Sequence, residues 1–152
     1  MPATGSGVAV LDDCGMEFEK MKNSKAYYGI VYKVSDDFRF IEVDKKFENP
    51  TGDETDTTID EYQKFVDHLI QCGVRFACYD IRFTTGDGVR HRKLVFFSYA
   101  DDNAHTKLKM CYSTTRSMLK SKLIGIDVSI QANDADEVAF DEVIRIVSKG
   151  RK

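Results

Sequence analysis

Hydrophobic positions along this chain alternate between a two-residue period and a 3.6-residue period, which predicts a domain that mixes strands and helices. Four strands rich in β-branched and aromatic residues are predicted in two hairpins, over residues 27–34, 38–46, 75–83 and 93–99. Residues 94–97 are continuously apolar, so we expect a central strand that is buried on both faces. A short fifth strand is predicted over residues 127–131.

Helices are predicted where apolar residues recur three and four positions apart. Asp12 or Asp13 should cap a first helix that runs to about Met21, and Thr58 with Glu61 matches a capping box for a second helix. A third and longest helix is expected over residues 104–123, and a fourth carries Phe140, Val143, Ile144 and Val147 on one face. These elements predict a mixed sheet sandwiched between helices.

The longest helix has an outer face that differs from an ordinary solvated one. Its core stripe is predicted to contain Leu108, Cys111, Tyr112, Thr115, Met118 and Leu119. The opposite side carries Met110 and a strip of small residues, Ser113, Thr114, Ser117 and Ser121, bordered by Lys107, Lys109, Arg116 and Lys120. No acidic residue occurs from 104 to 123. An exposed Met, small neighbours and bordering cations favour a docking surface, while a solvated helix with a single exposed Met is the alternative.

A second basic cluster, Arg90, His91, Arg92 and Lys93, is predicted on the loop over residues 84–92 and at the start of the next strand. Such a cluster could contact an acidic protein surface or phosphates, or it could simply be a solvated turn.

Composition narrows the classes of function. Lys and Arg number 22 against 25 Asp and Glu, a net charge of -3, so no global field recruits nucleic acid or membrane. The four cysteines lack both zinc-site spacing and the density of a disulfide framework, so we expect reduced thiols, no metal and no cofactor. The chain shows no leader and no apolar stretch that could cross a bilayer, so we expect a cytoplasmic protein.

An enzyme would need a nucleophile with its base, a metal set or a phosphate loop, and the sequence has no HExxH, GxxxxGK[ST] or GxSxG motif. The three histidines, His68, His91 and His105, are predicted at surface positions. The sequence therefore predicts a protein that is not an enzyme.

Residues 108–126, LKMCYSTTRSMLKSKLIGI, resemble the signature of the ADF/cofilin family, whose long helix carries K-M-x-Y-x-S-[ST]-[KR] and ends in L-x-G-I or L-x-G-V. Further matching segments follow the family's order and spacing: SGVAV at 6–10, RFACYD at 75–80, RKLVFFSY at 92–99 and VIRIVSKG at 143–150. The resemblance implies one ADF-homology domain over residues 1–152, with a flexible arm over about 1–6. Its fold would be α/β (α+β), with a central mixed sheet of five to six strands flanked by helices on both faces.

The resemblance also implies a function and its residues. The protein should bind monomeric and filamentous actin as a monomer and sever or depolymerise filaments. Phosphoinositide headgroups should bind its basic surface and compete with actin for the same cations. Contacts to both actin forms would come from Ser6, Gly7, Val8, Lys107, Lys109, Met110 and Arg116. A filament-specific surface would combine His91, Lys93, Arg145 and Lys149. Ser6 is the candidate phosphorylation site.

The sequence departs from the family pattern at Arg145, where relatives often have an acidic residue, and at Tyr99, where many have Trp. Other ADF-homology modules are the alternatives: a coactosin-like protein that binds filaments only, or a protein similar to glia maturation factor. Lys109, Met110 and the SGVAV arm favour cofilin behaviour over both.

Overall fold

The structure, a computed structural model, describes residues 8–52 and 54–149. A six-stranded mixed sheet forms its centre, as predicted. The strands are β1 (Ala9–Val10), β2 (Tyr27–Val34), β3 (Phe40–Glu48), β4 (Val74–Thr84), β5 (Arg90–Ala100) and β6 (Val128–Ala132). Their spatial order is β1-β3-β2-β4-β5-β6. β1 pairs with β3 and β5 with β6 in parallel, and the other three pairings are antiparallel.

Four α-helices cover the two faces of this sheet. They are α1 (Asp12–Glu19), α2 (Ile59–Cys72), α3 (Thr106–Lys122) and α4 (Phe140–Val147). A π-helical segment, Lys20–Ser24, continues α1, and a 3-10 turn, Ala135–Val138, precedes α4. Within the described ranges, no helix combines the length and apolarity that a bilayer crossing requires.

Each face of the sheet has its own hydrophobic core. α1 and α3 pack on one face around Phe18, Phe76, Phe96, Tyr112 and Leu119. α2 and α4 pack on the other around Tyr62, Phe65, Tyr79, Phe97 and Val143. Each such side chain contributes roughly 1.5–3 kcal/mol by leaving water. Leu94 to Phe97 are all buried, which confirms the predicted central strand.

Gly29 allows α2 to approach the sheet closely. A Cβ at this position in β2 would lie 2.8 Å from the Tyr79 ring and 3.3 Å from the Phe65 ring. Because those two rings pack at 4.8 Å between centroids, any larger residue would push the pair apart.

Helix ends were predicted with mixed success. Thr58 caps α2 as expected, since its hydroxyl accepts a hydrogen bond from Glu61 N at 3.1 Å. The predicted cap of α1 was wrong, because Leu11 is the N-cap and Asp12 and Asp13 lie in the first turn. There their charges interact favourably with the helix dipole. The π-helical segment also carries this helix three residues past Met21.

The start of α3 was also predicted wrongly. Asp101 caps a separate turn by accepting from Asn103 N at 2.8 Å, and the helix begins only after His105, whose ring accepts from Lys107 N. The first hairpin turn is longer than expected as well, because Phe38 adopts a left-handed conformation and β3 begins at Phe40.

The basic cluster does not lie on a loop, which corrects another expectation. The β4–β5 turn spans only residues 85–89, where Thr85 N donates to Val89 O at 2.9 Å. Arg90, His91, Arg92 and Lys93 are paired residues of β5. Alternate members of the cluster therefore point to opposite faces of the sheet.

Candidate functional site

The outer face of α3 has the exposure that the sequence predicted. We define the α3 outer face as Met110, Ser113, Thr114, Ser117 and Ser121, all of which are exposed. Met110 is 62% exposed and is the one large apolar side chain of this face. The helix is fixed from behind by Tyr112, Thr115 and Leu119, which are buried. A smooth strip with one apolar projection therefore faces solvent.

Two lysines lie at the N-terminal end of this face. The Lys107 Nζ is 5.0 Å from the centroid of the Phe38 ring, on the side of the β2–β3 turn. The Lys109 Nζ donates to the carbonyl of Asp102 at 3.0 Å. Both cations are thus held by local contacts, and α3 itself has no carboxylate to neutralise them.

Arg116 lies farther along α3, half-buried against the sheet. Its guanidinium carbon is 5.9 Å from the centroid of the Phe96 ring. Arg116 and Lys109 line one shallow pocket together with Ser113, Gln131 and Asn133. Within the described residues, the buried Nε of Arg116 has no hydrogen-bond partner. This pocket therefore presents two cations and an available donor to an incoming carboxylate.

The N-terminal contacts are only partly described. Val8 is 1% exposed and packs in the core beneath α1 and α3. The next residue, Ala9, donates its N–H to Arg39 O at 2.9 Å, so the chain joins the sheet at this point. Ser6 and Gly7 lie outside the described residues. The buried Val8 and the hydrogen bond of Ala9 therefore fix the start of the described chain to the domain.

β5 divides the basic cluster between the two faces. Arg92 turns toward α1, where its Nε donates to Asp80 Oδ1 at 2.9 Å and its Nη2 donates to the carbonyls of Met21 and Lys22. Asp80 is fully buried and also accepts from Arg82 at 3.4 Å. Arg92 is therefore part of an internal ion-pair network.

His91 and Lys93 point to the other face, the one that α2 and α4 cover. The His91 ring stacks on Phe83 at 5.1 Å between centroids, and its Nε2 lies 3.2 Å from the Thr85 hydroxyl. Both residues are half-buried. Their shared direction follows from the alternation of β5 side chains.

Arg145 and Lys149 are exposed, at the end of α4 and just after it. Arg145 forms a two-point ion pair with Glu142, at 3.1 and 2.5 Å. The hydrogen bonds from Arg145 lower the pKa of Glu142 below its usual value. Part of the charge that Arg145 adds to this surface is therefore neutralised within the helix.

The sequence pattern missed the roles of Asp80 and Arg92. The available signal was a single Asp in the otherwise apolar segment of β4, because a buried carboxylate needs a cationic partner on a neighbouring strand. Tyr99, the other departure from the family pattern besides Arg145, is 2% exposed, so this substitution lies in the core.

A family profile described as "Cofilin/tropomyosin-type actin-binding protein" matches residues 7–148. The chain belongs to the ADF/cofilin family. It is 36% identical to cofilin from Gibberella zeae over 148 residues, which cover 95% of this chain and 96% of that protein. It is 34% identical to actin-depolymerizing factor 1 from Zea mays, covering 94% and 96%. The crystal structure of Streptomyces griseoflavus cofilin superposes with a TM-score of 0.81 at 30% identity, covering 94% of this chain and 98% of that one.

ADF/cofilin membership confirms three predictions: the ADF-homology fold, an actin-binding function and a protein that is not an enzyme. The features described above then belong to an actin-binding protein with two basic surfaces. One surrounds the α3 outer face, and the other, formed by His91, Lys93, Arg145 and Lys149, lies on the α4 side of the sheet.

One cluster of this ADF/cofilin protein lies apart from both basic surfaces and was not predicted. His68 is only 22% exposed at its side chain, and its Nε2 is 2.7 Å from Asp44 Oδ2, so the predicted surface position is only half right. The Cys72 Sγ lies 3.5 Å from the same nitrogen. The spacing of His68 and Cys72, four residues apart on α2, is the sequence signal that could have indicated the cluster.

Proposed function

We propose that this protein binds monomeric and filamentous actin and disassembles filaments by severing or depolymerising them. The observation that carries the proposal is the α3 outer face, where an exposed Met110 projects from a strip of small residues between cations. Small residues permit close approach, and a Met side chain adapts to an irregular apolar cleft. Lys107, Lys109 and Arg116 would pair with carboxylates at the rim of that cleft.

The second basic surface would give the protein its preference for filaments. His91, Lys93, Arg145 and Lys149 lie on the α4 side of the sheet, so they could contact a neighbouring filament subunit while α3 contacts the first. A ligand shifts an equilibrium only through differential affinity. Disassembly would thus follow if the two contacts together bind a filament of altered twist more tightly than a filament of ordinary twist.

Regulation would act on the same cations. A phosphate on Ser6 would add nearly two negative charges to a segment that the family resemblance assigns to actin contact, and would weaken actin binding. Phosphoinositide headgroups would compete with actin for the basic residues. We further propose that the protein acts as a monomer in the cytoplasm, on the actin cytoskeleton.

The test is co-sedimentation with filamentous actin beside a monomer-binding assay, for the wild type and Lys107→Ala/Lys109→Ala. We expect the wild type to bind both forms and the double variant to lose at least about tenfold in affinity for each, because each lost charged contact is worth roughly 1.5–3 kcal/mol. Lys45→Ala/Lys64→Ala removes the same charge from exposed positions on β3 and α2 and should bind normally.

The alternatives give different results in the same assays. A protein that pellets with filaments but ignores monomers would be a coactosin-like binder. One that binds neither form would use the ADF-homology fold for another partner.

A further inference from the structure

A half-buried donor cluster lies on the side of the sheet opposite α3. Asp44 of β3 and His68 and Cys72 of α2 bring a carboxylate oxygen, an imidazole nitrogen and a thiol sulfur within 4.8 Å of one another. Of the residues described, only these three form such a group. We propose that Asp44, His68 and Cys72 form a binding site for one Zn²⁺ ion.

The spacing of the donors fits tetrahedral zinc. Zinc binds sulfur at about 2.3 Å and nitrogen at about 2.0–2.1 Å, so the two ligand atoms lie about 3.6 Å apart at a tetrahedral angle. The Cys72 Sγ and His68 Nε2 are 3.5 Å apart. The Asp44 Oδ2 to Nε2 distance is a hydrogen-bond distance, 2.7 Å, and must open to about 3.3 Å when the metal replaces the proton between them.

The fold supplies the support that a metal site needs. His68 and Cys72 are separated by one helical turn, so both face Asp44 across the α2–sheet contact. The His68 ring is held edge-on by Phe47 at 6.2 Å between centroids. The Arg75 Nε donates to Asp44 Oδ2 at 3.0 Å, which fixes the orientation of the carboxylate. Carboxylates that ligate a metal are typically hydrogen-bonded by an outer-shell group in this way.

The mixture of donors selects the class of metal. A thiol excludes the hard cations Mg²⁺ and Ca²⁺, which take oxygen ligands, whereas zinc accepts sulfur, nitrogen and carboxylate oxygen together. Three protein ligands leave the fourth position to water, which can enter because the side chains of Asp44 and His68 are 19% and 22% exposed. Binding releases the Cys72 thiol proton to solvent, and the resulting thiolate bonds to the metal. The proton between His68 Nε2 and Asp44 leaves by exchange with solvent, and the neutral imidazole then binds the metal through Nε2 with its hydrogen on Nδ1.

Bound zinc would tie α2 to β3. The three donors come together only in the folded chain, so zinc would bind the folded chain and not the unfolded one. Bound zinc should therefore raise the thermal midpoint of unfolding. The α3 outer face lies on the opposite side of the sheet, so this effect does not depend on actin binding.

The experiment uses the full chain, reduced and stripped of metal with EDTA, and titrates Zn²⁺ against a chromophoric chelator. We expect one ion per chain. Cys72→Ser and His68→Gln should each weaken binding by at least about tenfold, since each removes a direct ligand. Co²⁺ in place of Zn²⁺ should give a thiolate-to-cobalt charge-transfer band that Cys72→Ser abolishes.

Two matched variants control for binding elsewhere. Cys111→Ser changes the other half-buried cysteine, and His105→Gln changes an exposed histidine; both should bind like the wild type. The proposal is overturned if the wild type takes no stoichiometric zinc, if Cys72→Ser retains full affinity, or if either control variant loses it. Circular dichroism in EDTA checks that each variant is folded. If His68→Gln does not fold, the zinc affinity of Cys72→Ser, which is the smaller change, tests the proposal.

Discussion

Glu17 shows at the residue scale how one charge links two elements. Its carboxylate accepts from the Tyr27 hydroxyl at 2.6 Å and lies near Lys20 and Lys46, at 3.4 and 3.5 Å. The hydrogen bond from Tyr27, with smaller help from the lysines, lowers the pKa of Glu17 from its ordinary value of 4.5. The charged form is therefore the one that stabilises the contact between α1 and β2.

Lowering the pH should remove this contribution. Because the folded-state pKa lies below the unfolded one, the stabilisation is fully present above about pH 4.5 and is lost as the pH falls through the folded value. Glu17→Gln should be about 1 kcal/mol less stable than the wild type at pH 7. That difference should shrink toward zero below pH 4.5, as measured by urea unfolding at several pH values.

The control for this prediction is Glu48→Gln, which removes one exposed carboxylate from the end of β3. A stability difference for Glu17→Gln that stays constant from pH 7 to pH 3 would contradict the role of the Glu17 charge.

At the scale of elements, Arg92 joins β5 to the end of α1. Its guanidinium bridges the buried Asp80 of β4 and two carbonyls of the π-helical segment that continues α1, Met21 O and Lys22 O. The Lys22 Nζ in turn donates to Ile124 O at 2.7 Å, just beyond α3. The π-helical segment is therefore connected both to the central sheet and to the end of α3, the helix that we propose binds actin.

Asp80→Ala should destabilise this network strongly. Removing the carboxylate takes away the shared partner of the buried Arg82 and the half-buried Arg92, and breaking the buried pair of Asp80 with Arg82 costs about 3–5 kcal/mol. Urea unfolding would measure the loss. Asp60→Ala, an exposed carboxylate in the first turn of α2, is the control and should cost less than about 1 kcal/mol. Equal costs at the two positions would contradict the network.

At the scale of the whole molecule, the sheet separates two basic surfaces. The α3 outer face lies on one side, with Lys107, Lys109 and Arg116 around it. His91 and Lys93 point to the other side, the side of α4, with Arg145 and Lys149. If both surfaces contact actin as proposed, the protein touches two neighbouring subunits of a filament, whereas an actin monomer can occupy only one of the two surfaces.

This separation predicts a variant that distinguishes the two actin forms. Lys93→Ala/Lys149→Ala should reduce filament co-sedimentation at least about tenfold, because two charged contacts are lost, while monomer affinity stays within about twofold of the wild type. Lys45→Ala/Lys64→Ala again serves as the charge-matched control. Parallel loss of both activities would show that the α4 side does not form a separate filament surface.

Periodicity and turn chemistry were sufficient to predict most elements. The strand over residues 27–34 was predicted with its observed bounds, and the Thr58 cap, the α2 stripe and the direction of Met110 were predicted from local spacing. These features depend on residues that lie only a few positions apart in the sequence. The family motif on α3 then added the actin-binding function.

Sequence alone therefore determined the order and type of the four α-helices and of every strand except β1, the two-sided burial of β5 and the chemistry of the α3 outer face. Tertiary structure decided the start of α3 at His105, the division of the basic cluster, the partners of Asp80 and the meeting of Asp44 with His68 and Cys72. The physical reason is the separation along the sequence between the residues that interact. Helix stripes and caps are set by residues a few positions apart, whereas ion pairs and donor clusters join residues that only the packing of helices on the sheet brings together.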